Sequence, residues 1–206
     1  MPRDPLILSF DTSAAHCAAA LLSGDTIIVH RVEDMAKGQA ERLMPLLEEV
    51  LAEGGVHWRD LSAIGVGIGP GNFTGIRISV AAARGLALSL DVPAIGVSSL
   101  EAQAGDAPRP VWSLIDARRD HVYAQFLGLD AEDDAPILIP LTEATALPGQ
   151  HIGPDAVTDI AVKIARISAR RFSHADPQSP VPRPAPLYVR AADAAPPRDP
   201  APTILP

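Results

Sequence analysis

A chain of 206 residues with 47% hydrophobic side chains can bury one sizeable core or two small lobes, which excludes a disordered chain. Its formal net charge of −8 excludes unaided grip on nucleic acid, because neutralising phosphates takes a basic footprint. A single cysteine, Cys17, excludes an internal disulfide and a multi-cysteine metal centre, and fits a reducing compartment.

The opening MPRDPLILSFD lacks the layout of a secretory signal, and no apolar run reads as long enough to span a membrane; the expectation is a cytoplasmic protein with no membrane role. Leu6–Asp11 is a short apolar strand ending at the turn Asp11-Thr12-Ser13. Ala15–Leu22 is a second strand, Ser23-Gly24-Asp25 a hairpin signal, and the β-branched run Thr26–Val32 a third strand, which together predict an antiparallel meander. The period then changes. Leu43, Leu46, Leu47, Val50 and Leu51 fall on one helical face, and Glu41, Arg42, Glu48, Glu49 and Glu53 on the other. Gly54-Gly55 closes this helix, and Pro45 either kinks it or marks its true start.

Leu61–Ile68 is a short buried strand, followed by a glycine-rich loop and a helix from about Thr74 to Leu90. Pro93 ends that region, Ala94–Val97 is another buried strand, and Ser98 or Ser99 caps a short helix through Gln103. Strand, helix, strand in this order predicts a parallel βαβ unit attached to the meander. Asp106–Pro110 marks a boundary, dividing an N-terminal lobe, 1–105, from a smaller C-terminal lobe, 106–206. Past it the opening pattern returns: ILSFDTS…CAAALL is echoed by WSLIDAR…VYAQFL, which predicts two lobes of related design. The pattern leaves 130–154 undetermined. DAVTDIAVKIARISARRF reads as a short basic helix, started by Asp155 with Thr158 or Asp159. From Asp176 proline is dense; Leu187–Arg190 reads as a strand and the remainder as extended tail.

The glycine loop invites a phosphate reading. It is no Walker A loop, since no Gly-Lys-Ser/Thr follows, and its glycine spacing fails the dinucleotide fingerprint. Pro70 removes one N–H donor. A strand–loop–helix junction still offers free N–H groups and a helix dipole, so weak ATP or ADP binding with Mg²⁺ at Asp11, Thr12, Gly69, Gly71, Thr74 and Gly75 stands beside the alternative of an architectural turn. The helix that follows is apolar over far more than one face, with Arg77 and Arg84 its strongly polar residues. It is either buried within its own domain or packed on its sheet on one side and a partner on the other. The second alternative assigns an interface to Leu43, Leu47, Val50, Ile76, Val80, Ala83 and Ala87.

Catalytic signals do not accumulate. No two of the six histidines have local metal-pair spacing, there is no Gly-x-Ser-x-Gly elbow, and Cys17 sits in an apolar run as a small core residue. Asp11 and Asp116 end strands at turns, as Mg²⁺–phosphate ligands or as simple turn formers. The expectation is no catalytic residue and no bound metal.

GIGPGNFTGIRISVAAARGLAL resembles the signature of the bacterial TsaB/YeaZ family, with LSFDTSAAHCAAALL similar to its opening, IDARRDHVY to its second-lobe turn and PLYVR to its carboxy-terminal strand. Two departures are Asn72 where relatives carry serine and Gln39 where they carry histidine. The resemblance implies an α/β protein of the actin/sugar-kinase/heat-shock-protein ATPase fold. It implies a non-catalytic dimerisation subunit for N6-threonylcarbamoylation of adenosine 37 in tRNAs reading ANN codons. The catalytic paralogue TsaD carries a metal-binding His-x-x-x-His pair, which this sequence lacks. The implied partners are a TsaD-type catalytic subunit, met through the first two helices, a TsaE-type ATPase, a second copy when the chain is alone, and tRNA only through the complex. The rival classes are a glycoprotease-like metallopeptidase and a nucleotide-dependent enzyme of the sugar-kinase type.

Overall fold

The computed structural model describes residues 4–129, 133–154, 159–176 and 181–189. In chain order the strands are β1 (Leu6–Asp11), β2 (His16–Ser23), β3 (Thr26–Asp34), β4 (Ala63–Gly67), β5 (Ala94–Val97), β6 (Val111–Asp116), β7 (His121–Leu127), β8 (Ile137–Pro140) and β9 (His151–Ile152). The helices are α1 (Gln39–Glu53), α2 (Phe73–Leu90), α3 (Ser99–Ala104), α4 (Leu141–Ala144) and α5 (Ile160–Ser173).

The first sheet has the order β3-β2-β1-β4-β5, antiparallel through the meander and parallel from β1 to β4 to β5. Its central strands are covered on both faces, which is why they read as unbroken apolar runs. Leu8, Phe10, Cys17, Ala19, Leu21, Ile64 and Val66 point to the side of α1 and α2. Ile7, Ala18, Ala20, Leu22 and Ala63 point to α5. Small residues let α5 settle close to the sheet. A Cβ at Gly65 would stand 2.6 Å from the Ser168 hydroxyl, and the Ser9 hydroxyl donates to the Ala161 carbonyl at 2.7 Å.

The second sheet has the order β8-β7-β6-β9, with β6–β7 and β7–β8 antiparallel and β6–β9 parallel. That is the topology of β3-β2-β1-β4, with α4 placed between β8 and β9 as α1 is between β3 and β4. The repeated sequence pattern is therefore a repeated fold, the two-lobed α/β arrangement expected. α3 bridges the lobes. Ser98 caps it by accepting from Leu100 and Glu101 N–H, and Gln103 Nε2 donates to the Leu114 and Gly153 carbonyls at 2.7 Å each.

Several expectations are corrected. The helix over DAVTDIAVKIARISARRF is amphipathic, not merely basic: Ile160, Ala161, Ile164, Ala165 and Ile167 are buried, and it packs on the first sheet although it follows the second in the chain. Two of its three arginines are engaged within the chain, Arg171 with both Glu101 oxygens at 2.8 Å and Arg170 with Asp106 at 2.8 Å. Asp155 and Thr158 lie outside the described residues. Asp159 stands at the start of α5 with φ 53° and forms no side-chain cap; its carboxylate meets His30 at 3.4 Å instead. Leu187–Val189 is irregular rather than a strand, held by the Leu187 N–H donating to the Ile68 carbonyl at 2.8 Å. Arg190, 177–180 and the rest of the proline-dense tail lie outside the described residues. Among the described helices α2, with 18 residues and mean hydropathy 1.2, is long and apolar enough by composition to cross a membrane; its inner face is instead laid on the first sheet.

α1 continues past Pro45, because Pro45 and Glu41 are on its exposed side and the freed Glu41 carbonyl can face water. Arg42 ties the helix to β3. Its guanidinium donates to both oxygens of Glu33 at 2.6 and 2.7 Å and both of Glu49 at 2.6 and 2.7 Å. These bonds hold the Glu33 and Glu49 carboxyls below the usual carboxylate range. A lowered folded-state pKa gives stability that is present above the ordinary carboxylate range and lost as pH falls through the depressed value. Arg42→Ala is therefore expected to lower the melting temperature near neutral pH and to have little effect once both carboxyls are protonated. Thermal unfolding of both proteins at about pH 7 and about pH 3 checks this; an undiminished difference at the acid end would assign Arg42 a packing role.

Candidate functional site

The turn between β1 and β2 is pressed onto the start of α2, and this contact builds one wall of a cleft between the lobes. The Asn72 N–H donates to the Ser13 carbonyl at 2.6 Å, and the Thr12 hydroxyl donates to the Gly75 carbonyl at 2.7 Å. A Cβ at Gly71 would overlap the Ser13 carbonyl oxygen, and one at Gly75 the Thr12 carbonyl oxygen. These two glycines are required by backbone–backbone approach. Gly69 needs its own freedom for a different reason, its φ of 89°. Asn72 then caps α2, its side-chain oxygen accepting from the Gly75 N–H at 3.0 Å, so serine's replacement by asparagine keeps the cap.

The cleft measures about 970 Å³ and is bordered across from this wall by Ile115–Arg118 and Tyr123 of the second lobe, and at its mouth by Leu187–Val189. Asp11 lies at its base, fully buried. One oxygen accepts from the Ser13 N–H and hydroxyl at 2.9 Å each and from His16 Nε2 at 2.7 Å. The other is buried with no hydrogen-bond partner among the described residues and occupies the space that a Cβ on residue 67 would fill, which only glycine leaves open. Asp116, by contrast, is an exposed turn residue accepting from the Arg118 N–H at 3.0 Å.

Of the six residues expected around a nucleotide, Asp11 and Gly71 line the cleft. Thr12 and Gly75 are buried beneath it, Gly69 sits in the turn behind, and Thr74 is exposed on α2 outside the lining. The seven interface candidates divide differently. Leu43, Leu47, Val50, Ile76, Val80 and Ala83 are each at most 3% exposed, packed in the chain's own interior, and Ala87 is half-buried. These six are core residues of the chain itself. The side of α2 that faces outward carries Arg77, Ala81, Arg84, Gly85 and Leu88, one stripe at helical spacing, and Leu88 is 81% exposed.

Two groups escaped the sequence pattern. His16 carried no sequence signal, yet its Nε2 meets the buried Asp11 carboxylate at 2.7 Å. Phe73 and Tyr188 stack at the cleft mouth with ring centroids 4.8 Å apart, and the Arg77 guanidinium lies 3.6 Å over the Phe73 ring. The motif FTGIR contained two of these three residues, but nothing in it pointed to the third. Cys17 faces the core, where burial and then the Glu33 charge push its thiol up to about 11, far from a nucleophile's range. Among the described residues no group of three His, Cys, Asp or Glu side chains is placed to hold a metal ion.

The family described as TsaD, tRNA N6-adenosine threonylcarbamoyltransferase, matches residues 32–143, just over half of the chain. The chain belongs to the TsaD family. It is 38% identical to the tRNA threonylcarbamoyladenosine biosynthesis protein TsaB of Escherichia coli, over 57% of this chain and 52% of that one. It is 40% identical to TsaB of Bacillus subtilis over the same shares. The chain spans about half the length of these curated relatives. YeaZ from Pseudomonas aeruginosa superposes with a TM-score of 0.67 at 26% identity, over 89% of this chain and 99% of that one. The resemblance to TsaB/YeaZ read from the glycine motif, and the fold it implied, both hold within the TsaD family.

The glycines of α2 give opposite expectations for one substitution. Gly75→Ala gains helix propensity but drives a methyl into the Thr12 carbonyl, and overpacking of this kind costs about 1–3 kcal/mol. Gly85→Ala meets open space and is expected to stabilise by about 0.5–1 kcal/mol. Urea unfolding of the two variants reads both signs; equal effects would mean that the turn does not press on α2 in solution.

Proposed function

We propose that this chain is a non-catalytic subunit in tRNA N6-threonylcarbamoyladenosine biosynthesis, serving adenosine 37 of tRNAs that read ANN codons, and that it works by holding a TsaD-type catalytic subunit. The observation that carries this is the outer stripe of α2. Leu88 is 81% exposed, a Cβ on Gly85 meets nothing, and Ala81 leaves the backbone accessible, so a partner helix can approach closely where the chain's own packing ends. The relatives' names supply the pathway, and the family supplies the class of partner.

The cleft supports an architectural role. Asp11, the carboxylate best placed to hold Mg²⁺–phosphate or act as a base, has one oxygen taken by three donors and the other buried away from solvent. Any binding of ATP or ADP there is weak. The chain self-associates through the same helical face when alone, meets a TsaE-type ATPase and tRNA through the assembled complex, and acts in the cytoplasm.

Leu88→Glu tests this. The position is exposed, so folding is expected to change by no more than about 0.5 kcal/mol. Burying that charge in a helix–helix seam without a partner costs several kcal/mol. The variant is expected to fold, to stop co-purifying with the catalytic subunit and to fail in a reconstituted tRNA threonylcarbamoylation reaction. A folded Leu88→Glu protein that binds and supports modification normally would place the interface elsewhere.

A further inference from the structure

At the N-terminal end of the same stripe one side chain is prepared for a partner. Arg77 donates from Nε to the Tyr188 hydroxyl at 2.9 Å, while its guanidinium carbon lies 3.6 Å over the Phe73 ring. Two aromatic rings thus fix a long, flexible side chain in one place before anything binds, which removes much of the ordering cost of an arginine contact. Tyr188 is itself anchored from both sides in the chain: Leu187 donates to the Ile68 carbonyl, and Val189 packs with Leu100, Ala117 and Tyr123 of the lobe junction. The cluster nevertheless stays uncovered, with Phe73 40% and Tyr188 43% exposed.

We propose that Arg77 is the anchor of the α2 interface and receives a carboxylate from the TsaD-type subunit. The inference rests on the docking face assigned under the proposed function. Its own support is charge. With Nε occupied, the two terminal nitrogens of Arg77 form the fork that matches a carboxylate. Among the described residues no acidic group pairs with Arg77 or Arg84, and α2 contains no Asp or Glu at all. On a chain of net charge −8, the charged side chains within α2 are thus all positive. Two arginines are too few to hold an RNA backbone against that overall charge, but one clamped guanidinium suffices for one carboxylate. Aromatic residues and arginine are also the side chains that carry most binding free energy at protein interfaces.

The test measures affinity of the full chain for the catalytic subunit at low and high salt, with folding followed by circular dichroism and melting temperature. Arg77→Ala is expected to weaken binding at least tenfold and to flatten its salt dependence. Arg77→Lys should fall between, because an ammonium keeps the charge but loses the fork. Tyr188→Phe keeps the ring and removes the acceptor, and should weaken binding severalfold at unchanged melting temperature, which a purely structural role would not do. If Arg77→Ala is unstable, the other two variants decide. Folded Arg77→Ala with parental affinity and salt dependence, while Leu88→Glu abolishes binding, overturns the anchor and leaves the docking face standing. Parental binding by both variants removes the docking face itself. Loss of self-association or of direct tRNA binding, with affinity for the catalytic subunit intact, would assign the carboxylate to a second copy or replace it by phosphate, and overturns the proposal.

Discussion

The contact of the Thr12 carbonyl with the Gly75 backbone sets the geometry of this protein. No residue with a side chain fits at Gly75 without moving the β1–β2 turn, and none fits at Gly71 without moving Ser13. The close approach lets Ser13 and Thr12 bond directly to the first turn of α2, which fixes the helix axis against the sheet. The same turn carries Asp11, Ser13 and His16, so the position of α2 and the polarity of the cleft floor are one constraint. A glycine loop that elsewhere leaves its N–H groups open to a phosphate here spends one of them, on Asn72, on the neighbouring turn, and Asn72 in turn caps Gly75.

That constraint acts on a duplicated scaffold. Each lobe builds the same antiparallel meander with a fourth strand added in parallel, but the lobes are not equally covered. The first sheet has α1 and α2 on one face and α5 on the other, and α5 comes from beyond the second sheet in the chain. Closing the first lobe therefore requires the second to have been threaded. The carboxy-terminal segment adds another crossing: Pro184 lies against Gly96, Leu187 bonds Ile68, and Val189 enters the cluster of Leu100 and Tyr123. These contacts tie the carboxy-terminal segment to both the first lobe and the lobe junction.

Much of this was legible in the sequence because the signals were local. The meander, the βαβ unit, the Ser98 cap and the echo between ILSFD and WSLID all depend on residues near one another in the chain. The interface candidates are buried in the chain for a physical reason. Periodicity finds the apolar face of a helix, but Val50 and Ala83 are apolar because α1 and α2 pack on their own sheet, and a pattern cannot say whose core it fills. The outward stripe was hidden by its content, since alanine, glycine and a single leucine score weakly beside isoleucine and valine. Arg77 and Tyr188 are 111 positions apart, so no window joins them, and α5 looked basic because its arginines were visible while their acidic partners lay elsewhere.

The excess of apolar surface on α2 can now be divided. One side, Ile76, Val80 and Ala83, is spent on the fold. The other, from Phe73 and Arg77 to Leu88, is not needed by any described contact of the sheet, and burying it would lower the free energy of an assembly rather than of the chain. The cleft and the helix thus exchange the importance that the glycine motif first suggests. The glycines that border the cleft also seat α2, so that its outward side presents small residues with a clamped arginine at one end.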